Sequence, residues 1–223
     1  MGSIGRVRQL VESVIEFHIG ELKLEEFAVF NTRGDPLSVI VATILSQNTN
    51  DKNAVRAYKT LAEVVGTPLK PEALLALGVE GIARAIRVSG MHQVKARAIV
   101  NLANSVTIQE LEELEPMSLR SKLLSVPGIG YKTADVFLLM YRRYPIFPVD
   151  THIRRILVRY GVVRPGDSYE RIRLTVEGEL PRDPEYLMRA HLSLIRHGRT
   201  VCKALRPRCG DCPVASTCLK VAV

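Results

Sequence analysis

Apolar residues recur at helical spacing along most of the chain. The first stripe consists of Val7, Leu10, Val11, Val14 and Ile15, which occupy one face of a helix. A second helix is predicted to begin at Pro36 with Asp35 as its N-cap, because proline suits the first helical turn and aspartate the position before it. A third helix is predicted with Asp51 as its cap. Alternation at a period of two residues, which would indicate strands, is not found, so the sequence predicts an all-α fold.

The whole pattern predicts about ten helices joined by short loops. The later helices are expected at residues 73–77, 80–87, 93–105, 118–124, 131–142, 150–160, 168–178 and 184–198. Gly78 is expected to end the first of these, because glycine adopts the left-handed conformation of a helix C-terminus without steric cost. Residues 200–223 have no hydrophobic periodicity and are expected to be organised by their cysteines.

The composition excludes several classes of protein. Hydrophobic residues make up 47% and charged residues 24% of the chain, which is ordinary for a globular protein and excludes disorder as the main state. No apolar run reaches the roughly 18 residues that a membrane span requires. Charged residues interrupt the N-terminal segment MGSIGRVRQLVESVIEF, which therefore lacks a secretory core. We expect a protein without membrane association, located inside the cell in the cytoplasm or nucleoid.

The net charge of +8 is unevenly distributed. Residues 1–143 carry 17 basic and 15 acidic groups, whereas residues 144–223 carry 14 basic and 8 acidic groups. A basic C-terminal third suits a polyanion such as nucleic acid, although on charge alone a generic basic surface accounts for it equally well. Aromatic residues are only 5% and tryptophan is absent, which argues against proteins that stack single-stranded bases on aromatic side chains.

All four cysteines lie near the C-terminus with the spacing C-x6-C-x2-C-x5-C. They are Cys202, Cys209, Cys212 and Cys218. Disulfides are disfavoured in a reducing compartment, and four thiolates suit either a zinc ion or an iron–sulfur cluster, which the spacing alone does not separate. The first gap carries three cations, Lys203, Arg206 and Arg208. These cations could contact phosphates, or they could only offset the thiolate charge.

A glycine-rich turn, PGIG, separates two predicted helices within the segment LLSVPGIGYKTAD. Gly128 and Gly130 would let backbone N–H groups approach an anion at a helix N-terminus, and a DNA phosphate is the natural guest; an ordinary inter-helix turn is the alternative. Lys132 follows in the first helical turn, where the helix dipole disfavours a cation and burial would lower the pKa of the amine. A neutral lysine is a nucleophile suited to Schiff-base chemistry, although contact with phosphate or solvent is the simpler role.

The segment FPVDTHIRRI places an aspartate before another predicted helix. Asp150 is expected at the N-cap, a role that would by itself explain an aspartate there. His152 is expected to be a structural hydrogen-bonding residue rather than a catalyst.

Three segments together resemble one family. VPGIGYKTA, PVDTHIRRI and HGRTVCKALRPRCGDCPVASTC are similar, in this order and with these gaps, to the endonuclease III family of helix-hairpin-helix DNA glycosylases. The resemblance implies a six-helix domain over about 24–143 that contains the helix-hairpin-helix, and a cluster domain made of 1–23 and 144–223. It also implies that the four cysteines hold a [4Fe–4S] cluster rather than zinc.

The resemblance also assigns residues by position. It implies that Lys132 is the Schiff-base lysine and Asp150 the catalytic aspartate. It implies that Gln47, in ILSQNTND, enters the space left by an extruded base, and that Met91 and His92 belong to a loop that wedges into the duplex. It further implies DNA contacts at the hairpin glycines Gly128 and Gly130 and at the cluster-loop arginines Arg206 and Arg208. Asp135 stands where asparagine is commoner, and its role is open.

The implied protein is a base-excision repair enzyme. It would remove oxidised pyrimidines from double-stranded DNA and cleave the resulting abasic site by β-elimination, acting as a monomer. One alternative is a glycosylase for uracil or thymine in mismatches, although those relatives generally carry serine or tyrosine at the position of Lys132. The other is a non-catalytic DNA-binding iron–sulfur protein, which would require neither Lys132 nor Asp150.

Overall fold

The computed structural model describes residues 5–32 and 34–221, which contain eleven α-helices and no β-strand. The all-α prediction is confirmed. The helices are α1 (Arg6–Phe17), α2 (Pro36–Leu45), α3 (Asp51–Val65), α4 (Pro71–Ala85), α5 (His92–Ser105), α6 (Ile108–Glu113), α7 (Pro116–Ser125), α8 (Tyr131–Met140), α9 (Thr151–Tyr160), α10 (Tyr169–Glu177) and α11 (Pro184–Thr200). Across residues 5–32 and 34–221, every helix is too short or too polar to span a lipid bilayer.

The chain divides into two compact units. Lys23–Tyr144 forms one, and the described parts of Met1–Leu22 and Pro145–Val223 form the other. Within the described residues, the first unit contains seven α-helices, one more than the six that the resemblance implies. One of the seven is the short α6, which begins with a capping box between Thr107 and Glu110. Six residues are too few to show a clear apolar period, so the sequence pattern missed it.

Helix α2 is the centre of the Lys23–Tyr144 unit. All ten of its residues, PLSVIVATIL, are buried, as expected for a helix that is apolar on every side. It packs against α3, α5, α6 and α8. Asp35 caps it as predicted, since its Oδ1 accepts a hydrogen bond of 2.8 Å from the N–H of Ser38. The predicted cap of α3 is wrong: Asn50 accepts from the N–H of Asn53, and Asp51 is the first helical residue.

The two helices expected on either side of Gly78 form one kinked element, α4. Gly78 has φ 64° and ψ 175°, so the backbone leaves the helical conformation there. Helical turns resume immediately and continue to Ala85. Gly78 therefore ends the first of two helical segments that meet at a kink, as the sequence predicted, and its lack of a Cβ permits the positive φ.

In the other unit, α11 packs against both α1 and α9. Helix α1 is fixed at its start by Glu179, whose Oε2 accepts a hydrogen bond of 2.8 Å from the N–H of Val7. Arg6 reaches the carbonyl oxygens of Tyr160, at 2.7 Å, and Thr217, at 3.2 Å. These contacts join the first helix of the chain to residues near its C-terminus, which is why this unit combines both ends of the sequence.

Candidate functional site

The predicted glycine turn is a hairpin between α7 and α8, in which Val126 and Ile129 are buried. Gly128 has φ 96°, a left-handed conformation that favours glycine. A Cβ at this position would lie 2.6 Å from the Cβ of Ala98 on α5, so the hairpin packs directly on that helix. Asn101 of α5 donates a hydrogen bond of 3.0 Å to the carbonyl of Pro127. The hairpin is thus a rigid part of the Lys23–Tyr144 unit.

Gly130 is the N-cap of α8, and Lys132 lies in the first turn of that helix. A Cβ at Gly130 would meet no neighbouring atom within 4 Å, so this position is not crowded. The side chain of Lys132 is half-buried. A first helical turn directs N–H groups outward and favours anions, so a phosphate and the lysine amine could be accommodated at the same end of α8.

A buried ion pair joins the two helices of the hairpin and gives Asp135 a structural role. Asp135 is fully buried, and its carboxylate accepts hydrogen bonds from Arg120 Nε at 2.5 Å and from Nη2 at 3.2 Å. The guanidinium also lies over the ring of Tyr131, 5.2 Å from its centroid. The carboxylate at position 135 thus supplies the negative partner that the buried guanidinium of Arg120 requires.

The Gln47 loop and the Met91 loop lie next to each other. Gln47 Nε2 donates a hydrogen bond of 2.9 Å to Thr133 Oγ1, which brings it beside the first turn of α8. Asn48 Nδ2 lies 3.7 Å from the sulfur of Met91, within the range of a weak hydrogen bond to sulfur. Met91 is 55% exposed and has φ 47°, so the structure holds an apolar side chain outward on a strained backbone.

Lys95, which the sequence pattern did not single out, lies beneath these two loops. It is only 3% exposed, and its ammonium donates hydrogen bonds to the carbonyls of Leu45, at 2.9 Å, and Ser89, at 2.8 Å. Burial lowers its pKa to about 8. The sequence did not indicate that Lys95 is buried, because lysine is usually found at the surface and nothing in the helical pattern marks this one as an exception.

Asp150 caps α9 in the other unit. Its Oδ1 accepts a hydrogen bond of 2.8 Å from the N–H of Ile153, so the capping role is present. The preceding segment is fixed by neighbouring helices: the N–H of Phe147 donates to Glu177 Oε1 at 2.7 Å, and the carbonyl of Pro148 lies 3.0 Å from His191 Nδ1. The cap uses one of the two carboxylate oxygens of Asp150.

Two arginines on α9 tie this helix to the start of the cysteine segment. Arg155 donates to the carbonyls of Gly198, at 2.8 Å, and Cys202, at 3.0 Å. Arg159 donates to the carbonyl of Lys203 at 2.6 Å and lies 3.5 Å from the sulfur of Cys202. His152, whose pKa burial lowers, lies 3.0 Å from Arg155, consistent with its expected structural role.

The four cysteines line one cavity of about 30 Å³ within the Pro145–Val223 segment. All four are free thiols, so no disulfide competes for them. Arg159, Arg208 and Lys220 line the same cavity and would offset the charge of thiolates. Among the residues that the structure describes, no three His, Cys, Asp or Glu side chains are arranged to hold a single metal ion. The donor set fits a group held by four separate thiolates.

A chain of hydrogen-bonding side chains leads from the surface to Cys212. Glu21 Oε2 lies 2.9 Å from His18 Nδ1, and His18 Nε2 lies 3.3 Å from His197 Nδ1. His197 Nε2 in turn lies 3.5 Å from Cys212 Sγ. Burial lowers the pKa of His197 to about 4, and burial raises the pKa of Cys212. This arrangement fixes one ring nitrogen of His197 towards the sulfur.

Of the two cluster-loop arginines, Arg206 is exposed and has φ 52°. Arg208 is paired with Asp211, with 2.6 Å between Nη2 and Oδ2. Leu205, between the loop cations, is 84% exposed. The loop therefore presents Arg206 to solvent, whereas the charge of Arg208 is partly offset.

A model of the "HhH-GPD superfamily base excision DNA repair protein" family matches residues 41–182. The chain belongs to this superfamily. Endonuclease III of Sulfolobus acidocaldarius is 39% identical over 182 residues, which cover 81% of this chain and 80% of that protein. The resemblance found in the sequence is confirmed.

Solved structures agree with this assignment. A non-covalent Endonuclease III–DNA complex matches with a TM-score of 0.82 and 26% identity, and the match covers 99% of this chain and 97% of that chain. A trapped Endonuclease III–DNA covalent intermediate matches over the same shares with a TM-score of 0.83 and 26% identity.

The structure brings together part of the site that the sequence predicted for this HhH-GPD protein. Gln47, Met91 and the hairpin with Lys132 all belong to the Lys23–Tyr144 unit. Gln47 contacts Thr133 on the first turn of α8, and its neighbour Asn48 contacts Met91. His92 is the first residue of α5 and is half-buried. Asp150 and the four cysteines belong to the other unit.

Proposed function

We propose that Lys132 and Asp150 carry out the chemistry of this chain, which is a DNA glycosylase and abasic-site lyase of base excision repair. The observation that carries the assignment is a half-buried lysine in the first turn of α8, directly after the hairpin, in a chain similar to a trapped covalent Endonuclease III–DNA intermediate. A binding protein would need phosphate contacts at such a turn but no amine that can form a covalent bond.

The reaction requires the target nucleotide to leave the helix, because the glycosidic carbon cannot be attacked inside the stack. We propose that Gln47 and Met91 fill the space that the nucleotide leaves. Met91 is suited to this role because it is exposed and apolar, and Gln47 because its amide can pair with an orphaned base. Gly128 and Gly130 would bind backbone phosphate through N–H groups, and His92 would add a contact in the same loop as Met91.

The chemical steps follow from an amine nucleophile. The nitrogen of neutral Lys132 forms a bond to C1′ while the bond from C1′ to the base breaks, and the base leaves with that electron pair and takes up a proton. Asp150 accepts a proton from the amine and stabilises the positive charge that develops on the sugar. The sugar ring then opens to give an imine.

The imine makes a C2′ proton acidic. Loss of this proton forms a C2′–C3′ double bond and expels the 3′ phosphate, which cleaves the strand. Water then hydrolyses the imine and releases Lys132. The lyase activity therefore depends on the same amine as base removal.

Borohydride trapping tests the role of Lys132. Borohydride reduces the imine to a stable amine, so we expect wild-type protein to become covalently linked to duplex DNA containing thymine glycol or an abasic site. Lys132→Ala should give no adduct and no strand cleavage. Lys122→Ala, which removes a lysine of α7 that is paired with Glu110, is the matched control and should be trapped like the wild type. Undiminished cleavage by Lys132→Ala would exclude the Schiff-base role.

We propose oxidised pyrimidines as the lesion class and double-stranded DNA with a damaged or abasic nucleotide as the partner. The alternative, a glycosylase for uracil or thymine opposite guanine, is distinguished by a panel of thymine glycol, dihydrouracil, U·G and T·G duplexes. The other alternative, a non-catalytic DNA-binding iron–sulfur protein, predicts no cleavage of an abasic duplex. Action as a monomer, in the cytoplasm or nucleoid where the DNA is, completes the proposal.

We propose that Cys202, Cys209, Cys212 and Cys218 hold a [4Fe–4S] cluster. Their free thiols around a single cavity, with basic side chains beside them, support this assignment. When bound, the cluster would cross-link a segment that has no apolar periodicity of its own and present its basic loop, including Arg206 and Arg208, to phosphates.

The colour of the protein tests the cluster assignment. Purified protein should be yellow-brown and absorb near 400 nm, as expected of thiolate-ligated iron. A colourless protein containing one zinc ion would exclude the cluster.

The division into a domain of residues 24–143 and a domain of residues 1–23 with 144–223 also stays a proposal. Limited proteolysis between residues 143 and 145 would test it.

A further inference from the structure

The ammonium of Lys95 joins two loops that are distant in sequence. Its hydrogen bonds end on Leu45, the last residue of α2, and on Ser89, which lies just before Gly90 and Met91. The carbonyl of Leu45 is among those that a helix C-terminus leaves without an intrahelical partner. The segment after Leu45 carries Gln47. Lys95 therefore fixes the start of both loops from below.

The backbone of these loops needs such support. Asn48 and Met91 have φ values of 50° and 47°, which are uncommon for residues with a Cβ. Such conformations persist only where surrounding contacts determine them. The Asn48–Met91 contact of 3.7 Å joins the loop tips, and Lys95 joins their bases. Together they set the distance between the two loops.

An apolar residue would fill the position of Lys95 at lower cost if filling were its only role. Burial of an ammonium is unfavourable, and this one has carbonyl oxygens rather than a carboxylate at its end. A charged donor can nevertheless serve two carbonyls of different loops at once, and it complements the negative end of the α2 dipole. The free-energy cost of burying the ammonium is therefore offset only when Lys95 binds the carbonyls of both loops.

We propose that Lys95 is a positioning residue that holds the Gln47 and Met91 loops at a fixed spacing, so that both side chains enter the duplex together when a nucleotide is extruded. This inference rests on the proposed function, in which Gln47 and Met91 fill the vacated space. Lys95 touches neither the base nor the sugar in this scheme, and acts only through the loops.

A mutant cycle tests the proposal. The variants are Lys95→Met, which keeps the length of the side chain but removes its donors, the double variant Gln47→Ala/Met91→Ala, and the triple variant. The measurements are single-turnover cleavage of a thymine glycol duplex and the fluorescence of 2-aminopurine next to an abasic-site analogue at saturating protein, which reports unstacking. Lys95→Met should slow both processes by about tenfold to a hundredfold, because the two loops lose the contact that fixes their spacing and their side chains are displaced.

The decisive result is the comparison of backgrounds. If Lys95 acts through the loops, Lys95→Met has no further effect once Gln47 and Met91 are alanine. An equal slowing in both backgrounds, or no slowing in either, overturns the proposal. If the double variant unstacks the duplex as well as the wild type does, the proposed roles of Gln47 and Met91 are refuted, and the proposed role of Lys95 falls with them. Borohydride trapping of Lys132 tests the proposed function separately.

Two further variants separate positioning from stability. Leu102→Ala creates a cavity on α5, seven residues beyond Lys95, and should lower the melting temperature without slowing unstacking. Lys95→Arg keeps a charged donor and should retain more activity than Lys95→Met. If Lys95→Met does not fold, Lys95→Gln replaces it, because its amide is too short to reach both carbonyls. Equal rates for Lys95→Gln, Lys95→Arg and wild type would then overturn the proposal.

Discussion

The substitution Asp135→Asn provides a quantitative test of the hairpin structure. Asp135 is fully buried, and its carboxylate receives two hydrogen bonds from Arg120, which is itself only 7% exposed. Asparagine has nearly the same shape as aspartate. It removes the negative charge, however, and turns one acceptor oxygen into an NH₂ group that faces an N–H donor. The guanidinium then stays buried without this carboxylate.

The expected loss of stability follows from the burial of the pair. Removing one partner of a buried ion pair costs about 3–5 kcal/mol. The ring of Tyr131, 5.2 Å from the guanidinium carbon, continues to stabilise the cation by about 0.5–1 kcal/mol. We therefore expect a loss near the lower limit, about 3 kcal/mol. For a chain of 223 residues, this corresponds to a decrease of about 6–12 °C in melting temperature.

Thermal and urea unfolding of the purified variants measure this loss. The matched control is Lys122→Met. Lys122 lies on α7, as Arg120 does, and forms a partly exposed ion pair with Glu110 of α6. Its loss should cost less than about 1 kcal/mol. The double variant Arg120→Met/Asp135→Leu should recover most of the stability, because apolar residues of similar volume replace both charges. A loss for Asp135→Asn no greater than that for Lys122→Met would refute this account of position 135.

Three further predictions concern other parts of the site. Gly128→Ala should destabilise the hairpin by about 1–2 kcal/mol or more and weaken DNA binding, because φ is 96° and the new Cβ would clash with α5. Gly130→Ala should leave stability nearly unchanged, because φ is −103° and a Cβ there meets no atom within 4 Å. Urea unfolding measures the stability and filter binding the DNA affinity of both variants, and equal effects would contradict the geometry. Asp150→Asn should keep the hydrogen bond from the N–H of Ile153, and hence the melting temperature, but lose cleavage activity. Asp150→Ala should lose cleavage activity and also about 1 kcal/mol of stability. Full cleavage activity of Asp150→Asn would exclude a role for the negative charge of Asp150. Burial lowers the pKa of folded Lys95 from 10.5 to about 8, so the unfolded chain binds the proton more strongly than the folded protein between these pH values. The free energy of unfolding of the wild type, relative to that of Lys95→Met, should therefore rise by up to about 3 kcal/mol as the pH increases from 8 to 10.5. Urea unfolding at both pH values measures this difference, and a constant difference would contradict the prediction.

The helices were largely predictable because local signals determine them. Asp35 and Pro36 mark the start of α2, and Asp150 marks the start of α9, each through contacts within three residues along the chain. Failures occurred where the local signal was ambiguous. Asn50 and Asp51 are both good capping residues, and only the backbone conformation decides which of them caps α3.

The sequence by itself determined the all-α class, the hairpin glycines and the clustering of the cysteines, because periodicity, turn chemistry and spacing are properties of short segments. Only the tertiary structure decided which side chains support the site. Gln47 meets Thr133 across 86 residues, Lys95 meets Leu45 across 50 residues, and His18 meets His197 across 179 residues. A buried polar side chain is stable only when its partner is already placed by the packing of other helices, and no short segment of sequence contains that information.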